Sequence, residues 1–127
     1  MLWYIAAGSA IGGVSRYLLG GVVQRWMDTT FPIGTLLINV TGSFLLGAII
    51  RFAVDTPSIS PEMRAFLTIG ICGGYTTFST FSYETAVMLE DGEWSRAAVY
   101  VAGSVALSLI ATFLGFAAAR VALGARA

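Results

Sequence analysis

Two phenylalanines set among hydroxyl side chains form the most unusual chemical pattern in this chain. Phe78 and Phe81 are three residues apart, so they share one face of a helix, and Ser79 and Thr80 lie between them. The edge of an aromatic ring carries partial positive charge. Two ring edges can therefore stabilise a small anion weakly, whereas the ordinary place for such rings in a membrane is against lipid or a protein core.

A polar stripe in a second apolar stretch supplies hydrogen-bonding groups. Thr35, Asn39 and Ser43 recur every four residues and lie on one helix face. A carboxamide in hydrocarbon needs a partner. Two alternatives stay open for Asn39: a hydrogen bond to a neighbouring helix, or an N–H group offered to a passing anion.

A longer stripe follows near the end of the chain. Tyr100, Ser104, Ser108 and Thr112 fall at steps of four and mark one face along roughly 18 Å of helix. Serine and threonine can bond the carbonyl four residues back, which is the simpler explanation. The alternative is a continuous polar lining.

Paired glycines precede the phenylalanine segment. Gly73 and Gly74 are followed by Thr76 and Thr77, a combination that is poor in a helix interior and good at helix ends. We therefore expect a helix broken at mid-membrane, with a kink as the alternative. A break frees carbonyls that can bind a cation and N–H groups at a positive helix start.

Arg16 is the one charge in the first apolar stretch, roughly 5 Å from its middle at 1.5 Å per residue. A charge at that depth must face protein or water. It either snorkels or caps carbonyls of a neighbouring helix, or it places positive charge in an aqueous vestibule that attracts an anion.

The composition indicates the environment that these residues share. The chain has 127 residues, of which 57% are hydrophobic and 11% charged, where soluble domains carry about 25% charged residues. Seven arginines balance seven acids, so a nucleic-acid partner is not expected. Histidine is absent and Cys72 is the one cysteine, which removes histidine metal and haem sites, histidine catalysis and disulfides.

The sequence therefore predicts an all-α membrane protein, with residues 1–127 forming a single four-helix transmembrane subunit. A span needs about 20 mostly apolar residues to cross about 30 Å of hydrocarbon. Four stretches qualify, the third of them broken, and short polar connections separate them. They run from about Leu2 to Gln24, Pro32 to Ala53, Ala65 to Leu89 and Ala97 to Ala119.

Orientation and self-association are weakly encoded. One side of the membrane collects four arginines and the other two, a bias that permits insertion in both orientations. Small residues four apart, such as Gly8 with Gly12 and Ser43 with Gly47, let helices approach closely, either within one subunit or between copies. The two arginine sets are Arg51, Arg64, Arg120 and Arg126, and Arg25 and Arg96.

Three segments carry a family resemblance that extends over the whole chain. Residues 73–82 (GGYTTFSTFS) resemble the signature of the Fluc (CrcB) fluoride channels. Residues 34–44 (GTLLINVTGSF) and 12–17 (GGVSRY) resemble the second-helix and first-helix motifs of that family. The first of the three motifs is highly specific, and the other two would be weak alone.

The resemblance implies a fluoride-selective channel that exports fluoride passively across the cell inner (plasma) membrane. It would be an antiparallel, dual-topology homodimer with two pores, each built from both subunits and surrounded by lipid. The implied roles are ring-edge ligands (Phe78, Phe81), a pore amide (Asn39), a polar track (Ser79, Thr80), a lining on the fourth helix (Tyr100, Ser104, Ser108) and a vestibule charge (Arg16).

The same resemblance implies one structural sodium ion at the dimer axis, bound by the backbone carbonyls of Gly73 and Thr76, and no organic cofactor. Carbonyl oxygens from two chains suit a hard cation. Glu84 follows the signature in the family pattern, and we assign it no role.

Two other classes of membrane protein have this size. A small multidrug-type exporter needs an ionisable acid in its first helix, where this chain has Arg16. A membrane anchor subunit without haem needs no histidine, but it leaves the polar stripes unexplained. An enzyme is not expected, because Ser79 and Cys72 have no histidine or lysine to activate them.

Overall fold

The computed structural model describes residues 1–124, and every regular element in that range is helical. The expectation of an all-α chain is thereby confirmed. In chain order the elements are α1 (Leu2–Met27), α2 (Ile33–Val54), α3 (Pro61–Ala65), a π-helical segment (Phe66–Cys72), α4 (Gly73–Tyr75), α5 (Phe78–Glu90) and α6 (Trp94–Gly124).

The four expected spans correspond to α1, α2, the succession from α3 to α5, and α6. Within the described range, α2 and α6 are the helices that are both long and apolar enough to cross a membrane. The third span is divided, and its longest helix, α5, has 13 residues. The helices also extend beyond the expected bounds, since α3 begins at Pro61 and α6 runs from Trp94 to Gly124.

Polar side chains end and begin the helices at the connections. Asp28 follows α1 in the left-handed conformation, with φ of 45°. Gln24 then joins the two sides of the first connection: its side-chain amide donates to the Phe31 carbonyl at 2.9 Å, and its oxygen accepts from the Gly34 N–H at 3.0 Å. Ser60 caps α3 by accepting from the Met63 N–H at 3.1 Å.

Small residues bring the helices into backbone contact. A Cβ added at Gly12 would collide with the carbonyl oxygen of Ile71 in the π-helical segment. In the α2–α6 pair, a Cβ at Gly47 would lie 2.6 Å from the Thr112 carbonyl oxygen. Gly8, Gly12 and Gly47 therefore serve packing inside one subunit, whereas a Cβ at Gly13 would meet nothing within 4 Å.

Few side chains are fully buried, and three of the buried ones form a cluster at one end of α5 and α6. Met88, Ala97 and Tyr100 form this core, and Phe31 and Phe81 pack against it. Most large apolar side chains of α1 and α6 lie on the surface instead; Phe113, for example, is 65% exposed. Such a surface suits a hydrocarbon solvent.

Candidate functional site

A cavity of about 300 Å³ lies between α2, α5 and α6. It brings together five residues that the sequence analysis selected from three different spans, and it also includes Thr76. The five are Asn39, Phe78, Phe81, Ser104 and Ser108. Gly42, Ser43, Leu46, Thr77 and Val105 complete the wall. We call this space the ring cavity.

The backbone changes direction beside this cavity. Thr76 and Thr77 are extended, with ψ of 158° and 114°, between the helical segments α4 and α5. The interruption falls after Gly73 and Gly74, which are themselves helical in α4. Threonine side chains, not the glycines, thus occupy the two non-helical positions.

Asn39 holds the extended segment from the facing helix. Its side-chain N–H donates to the Thr77 carbonyl at 3.0 Å, and its side-chain oxygen accepts from the Thr77 N–H at 2.8 Å. Of the two alternatives for this carboxamide, the interhelical hydrogen bond is therefore present. A primary amide has a second N–H, so one donor of Asn39 is left for another partner at the ring cavity.

Thr77 also begins the next helix. Its hydroxyl accepts from the Thr80 N–H at 3.2 Å, which makes Thr77 the N-cap of α5. In a continuous helix the N–H groups of Thr77 and Thr80 would donate four residues back, to the carbonyls of Gly73 and Thr76. Here both N–H groups donate to side chains instead, so these two carbonyls lose their usual donors.

The two phenylalanine rings differ in how firmly they are held. Their centroids are 5.6 Å apart. Phe81 packs against Tyr100 with centroids 5.2 Å apart, whereas the side chain of Phe78 is 79% exposed. The Tyr100 hydroxyl donates to Glu84 Oε1 at 3.1 Å and fixes the ring that supports Phe81.

The stripe on α6 divides into three kinds of residue. Tyr100 is buried in the core and does not line the ring cavity. Ser104 and Ser108 do line it, and Ser104 Oγ is buried without a hydrogen-bond partner among the residues that the structure describes. The Thr112 hydroxyl donates to the Ser108 carbonyl of its own helix at 2.9 Å, as threonine commonly does in a helix.

A second cavity, of about 400 Å³, contains the charge of the first span. Arg16 lines it together with Thr35, Thr80 and Glu84, and we call it the arginine cavity. Thr77 lines both cavities and therefore stands between them. Ser79 lines neither; it is exposed, and its Oγ lies 3.3 Å from Thr77 Oγ1.

Some lining residues had no role in the sequence interpretation. Thr77 is the clearest, and its signal was its place before an apolar run, where an N-cap residue belongs. Thr35 and Ser43 belonged to the stripe with Asn39, and the structure distributes that stripe over both cavities. Gln24 lines the arginine cavity, and no pattern in the sequence marked it.

No cluster of three or more His, Cys, Asp or Glu side chains suitable for a metal ion occurs in residues 1–124. Backbone, amide and hydroxyl oxygens remain as ligand types for a cation. The carbonyls of Gly73 and Thr76 fit that use, because hard cations prefer oxygen and these two have lost their helical donors.

Residues 3–116 match a protein family described as CrcB-like protein, Camphor Resistance (CrcB). Curated relatives named fluoride-specific ion channel FluC align over almost their whole length. The one from Geobacter sulfurreducens is 53% identical over 116 residues, 91% of this chain and 94% of the relative. Those from Nitrobacter winogradskyi and Rhodospirillum centenum are 49% and 42% identical, covering 92% and 97% of this chain and 93% and 98% of the relatives.

The all-helical fold, with two helices long and apolar enough to cross a membrane among the described residues, is typical of helical membrane proteins. The extent and identity of the matches place it further: the chain belongs to the CrcB family. The resemblance drawn from residues 73–82, 34–44 and 12–17 is thereby confirmed.

Proposed function

We propose that this chain is a fluoride-selective channel, not an enzyme, that lets fluoride leave the cell passively across the inner membrane. The observation that carries the proposal is the ring cavity, where Phe78 and Phe81 meet Asn39, Ser104 and Ser108. The relatives named fluoride-specific ion channels support it independently.

The lining suits an anion that is small and strongly hydrated. Conduction requires groups that replace the water around the ion without binding it too tightly to release it. Ser104 Oγ is a buried hydroxyl with no partner in the described range, and Asn39 retains one N–H. Ring edges add weak positive potential without a full charge that would trap the anion.

The arginine cavity is the proposed vestibule on the way to the ring cavity. Arg16 lines it and has no ion pair within 4 Å among residues 1–124. Its positive charge would attract anions, and the Glu84 carboxylate on the same wall, which accepts from the Tyr100 hydroxyl, opposes part of that attraction. Thr80 contributes a hydroxyl there, and Thr77 marks the passage between the two cavities. Ser79 and Tyr100 line neither cavity of a single chain, so this scheme gives them no contact with the ion there.

We further propose that two chains assemble as an antiparallel, dual-topology homodimer with two pores. One chain leaves Phe78 79% exposed, so that a single copy supplies part of a pore wall. A second copy would cover this ring and complete the lining. The third span would then be broken near mid-membrane, at Thr76 and Thr77.

A structural sodium ion at the dimer axis fits the same scheme. The carbonyls of Gly73 and Thr76 from both copies would hold it, and the ion would neutralise carbonyl dipoles that no helix bond satisfies. This role concerns assembly of the dimer, and no step of fluoride permeation depends on it.

The deciding experiment is ion efflux from liposomes that contain the purified chain. Vesicles loaded with fluoride should lose it through the protein, and vesicles loaded with chloride should lose almost none, as read by ion-selective electrodes. Equal fluoride and chloride efflux would contradict the proposal, and so would fluoride efflux no faster than that of protein-free vesicles.

A multidrug-type exporter is disfavoured by the first helix. Such an exporter couples to protons through an acid there, and α1 (Leu2–Met27) contains none. A membrane anchor subunit would not require a buried Ser104 hydroxyl that has no partner among the described residues and faces a cavity between three helices.

A further inference from the structure

A third cavity, separate from the ring and arginine cavities, lies between the ends of α2 and α6 and the start of the third span. Its volume is about 380 Å³. Its wall is apolar apart from Arg64 and is built largely from small aliphatic side chains, among them Ala48, Ala53, Leu67 and Ala122. We call it the Arg64 cavity.

One N–H of the Arg64 guanidinium lacks an acceptor among the described residues. Its Nε is shielded from solvent and has no hydrogen-bond partner among residues 1–124. The one ion pair in that range joins Arg96 and Glu93, so neither Asp55 nor Glu62 neutralises Arg64 within 4 Å. A shielded cationic N–H without an acceptor costs free energy, which an anionic ligand would recover.

The backbone of Arg64 is firmly placed by contrast. Its N–H donates to the Ser60 carbonyl at 3.0 Å, and its own carbonyl accepts from Thr68 Oγ1 at 2.7 Å. Ser60 in turn caps α3. The helix that carries the guanidinium is therefore fixed, and the charge is held beside the apolar wall.

The position of the cavity indicates which anion fits. Ala53 is next to the last residue of α2 and Ala122 lies in the last turn of α6, so the cavity is at the end of two spans, where lipid headgroups meet hydrocarbon. Arginine binds phosphate through paired N–H groups. A free phosphate ion would lose hydration beside the alanine wall without a compensating interaction. An acyl chain would bury apolar surface against the same wall.

We propose that the Arg64 cavity binds an anionic phospholipid, with the phosphate on the Arg64 guanidinium and one acyl chain along the apolar wall. Anionic headgroups are preferred over zwitterionic ones because no acid of residues 1–124 lies within 4 Å of the Arg64 charge. This site is independent of the ion that the protein conducts.

Lipid retention in native mass spectrometry tests the proposal. The full chain, purified in detergent, is mixed with phosphatidylglycerol or with phosphatidylcholine of the same acyl chains. We expect phosphatidylglycerol to be retained about tenfold more, and Arg64→Gln to remove that preference, as loss of a charge-assisted contact predicts. Arg51→Gln removes the same charge from an exposed position of α2 and should keep the preference.

Two further measurements separate the lipid from other occupants. Ala122→Leu fills the cavity but keeps Arg64, and it should lower phosphatidylglycerol retention several-fold. Inorganic phosphate at the lipid concentration should not displace the lipid; displacement would mean a free-anion site and overturn the proposal.

The proposal also fails if Arg64→Gln and Arg51→Gln lose the preference equally. It fails, too, if Arg64→Gln alters the dimer fraction while lipid retention is unchanged, because a second copy would then cover the cavity.

Discussion

Single residues at the ring cavity divide into those that are held and those that are free to meet an ion. Phe81 is supported by Tyr100, whose hydroxyl is fixed by Glu84. Phe78 has its ring edge and faces largely open. Ser104 Oγ is shielded and has no partner in the described range. The held ring gives the cavity one fixed wall, and under the proposed function the open groups are those that an ion would contact.

Replacing either ring by an aliphatic side chain tests the ring-edge contribution. Phe78→Ile and Phe81→Ile keep apolar character but remove the positive edge, so fluoride efflux from liposomes should fall at least about tenfold for each, a loss of about 1.4 kcal/mol of stabilisation. Phe113→Ile is the matched control, because Phe113 is exposed on α6 and lines neither cavity. Wild-type efflux in both test variants would remove the rings from the mechanism.

Asn39 is expected to contribute to stability as well as to permeation. Asn39→Ala deletes both hydrogen bonds to the Thr77 backbone and leaves the Thr77 N–H without its acceptor. We expect the free energy of unfolding to fall by about 1–3 kcal/mol. Thermal unfolding in detergent measures the change. Ser82→Ala is the control: Ser82 is exposed and bonds the Phe78 carbonyl of its own helix, so its loss should change stability by less than about 0.5 kcal/mol. If the two substitutions lowered stability equally, Asn39 would not be what holds the extended segment at Thr77.

At the scale of elements, apolar length and punctuating residues were enough to predict four spans. The connections at Asp28 and Ser60 follow local rules of helix ending and capping. The detail of the third span was not predictable in the same way. Its π-helical segment packs closely against α1, and Asn39, which bonds the backbone at its interruption, is 38 residues away from Thr77. A contact of that separation leaves no local signal.

The close backbone contact between α1 and the third span requires glycine at position 12, because any side chain would occupy the contact. Gly12→Ala would drive a methyl group into the Ile71 carbonyl, and we expect a loss of about 1–3 kcal/mol in stability. Gly13→Ala is the neighbouring control. Its Cβ meets nothing within 4 Å, and alanine has the better helix propensity, so stability should be unchanged or rise by up to about 1 kcal/mol. The unfolding temperatures of the two variants should therefore shift in opposite directions, or the shift for Gly12→Ala should be clearly larger.

At the scale of the whole molecule, the sequence patterns predicted most of the residues of the candidate site. They did not predict how these residues divide between the ring cavity and the arginine cavity. The ring cavity gathers Asn39, Phe78, Phe81, Ser104 and Ser108, which periodicity and residue chemistry had marked. The patterns assigned no place to Thr77, the residue shared by both cavities. Helical periodicity identifies a face, but which neighbour that face meets depends on how three helices cross, and one sequence does not encode that in any short spacing.

The balance of arginines outside the spans leads to the last prediction. Arg51, Arg64, Arg120 and Arg126 oppose Arg25 and Arg96; Arg126 lies outside the described residues and enters only as a charge. Under the positive-inside rule this four-to-two bias is weak enough for both orientations to form. A reporter fused to the C-terminus should therefore be found on both sides of the membrane.

Removing the minority charges should fix one orientation. Arg25→Gln combined with Arg96→Gln leaves four arginines against none, and this variant should insert one way. Because an antiparallel pair needs both orientations, cells that make only this variant should also lose fluoride export. Arg51→Gln with Arg120→Gln removes as many charges but leaves two against two, so mixed insertion and export should persist. One-sided labelling of the unmodified chain, or export by a strictly one-way variant, would show that the two subunits do not insert in opposite directions.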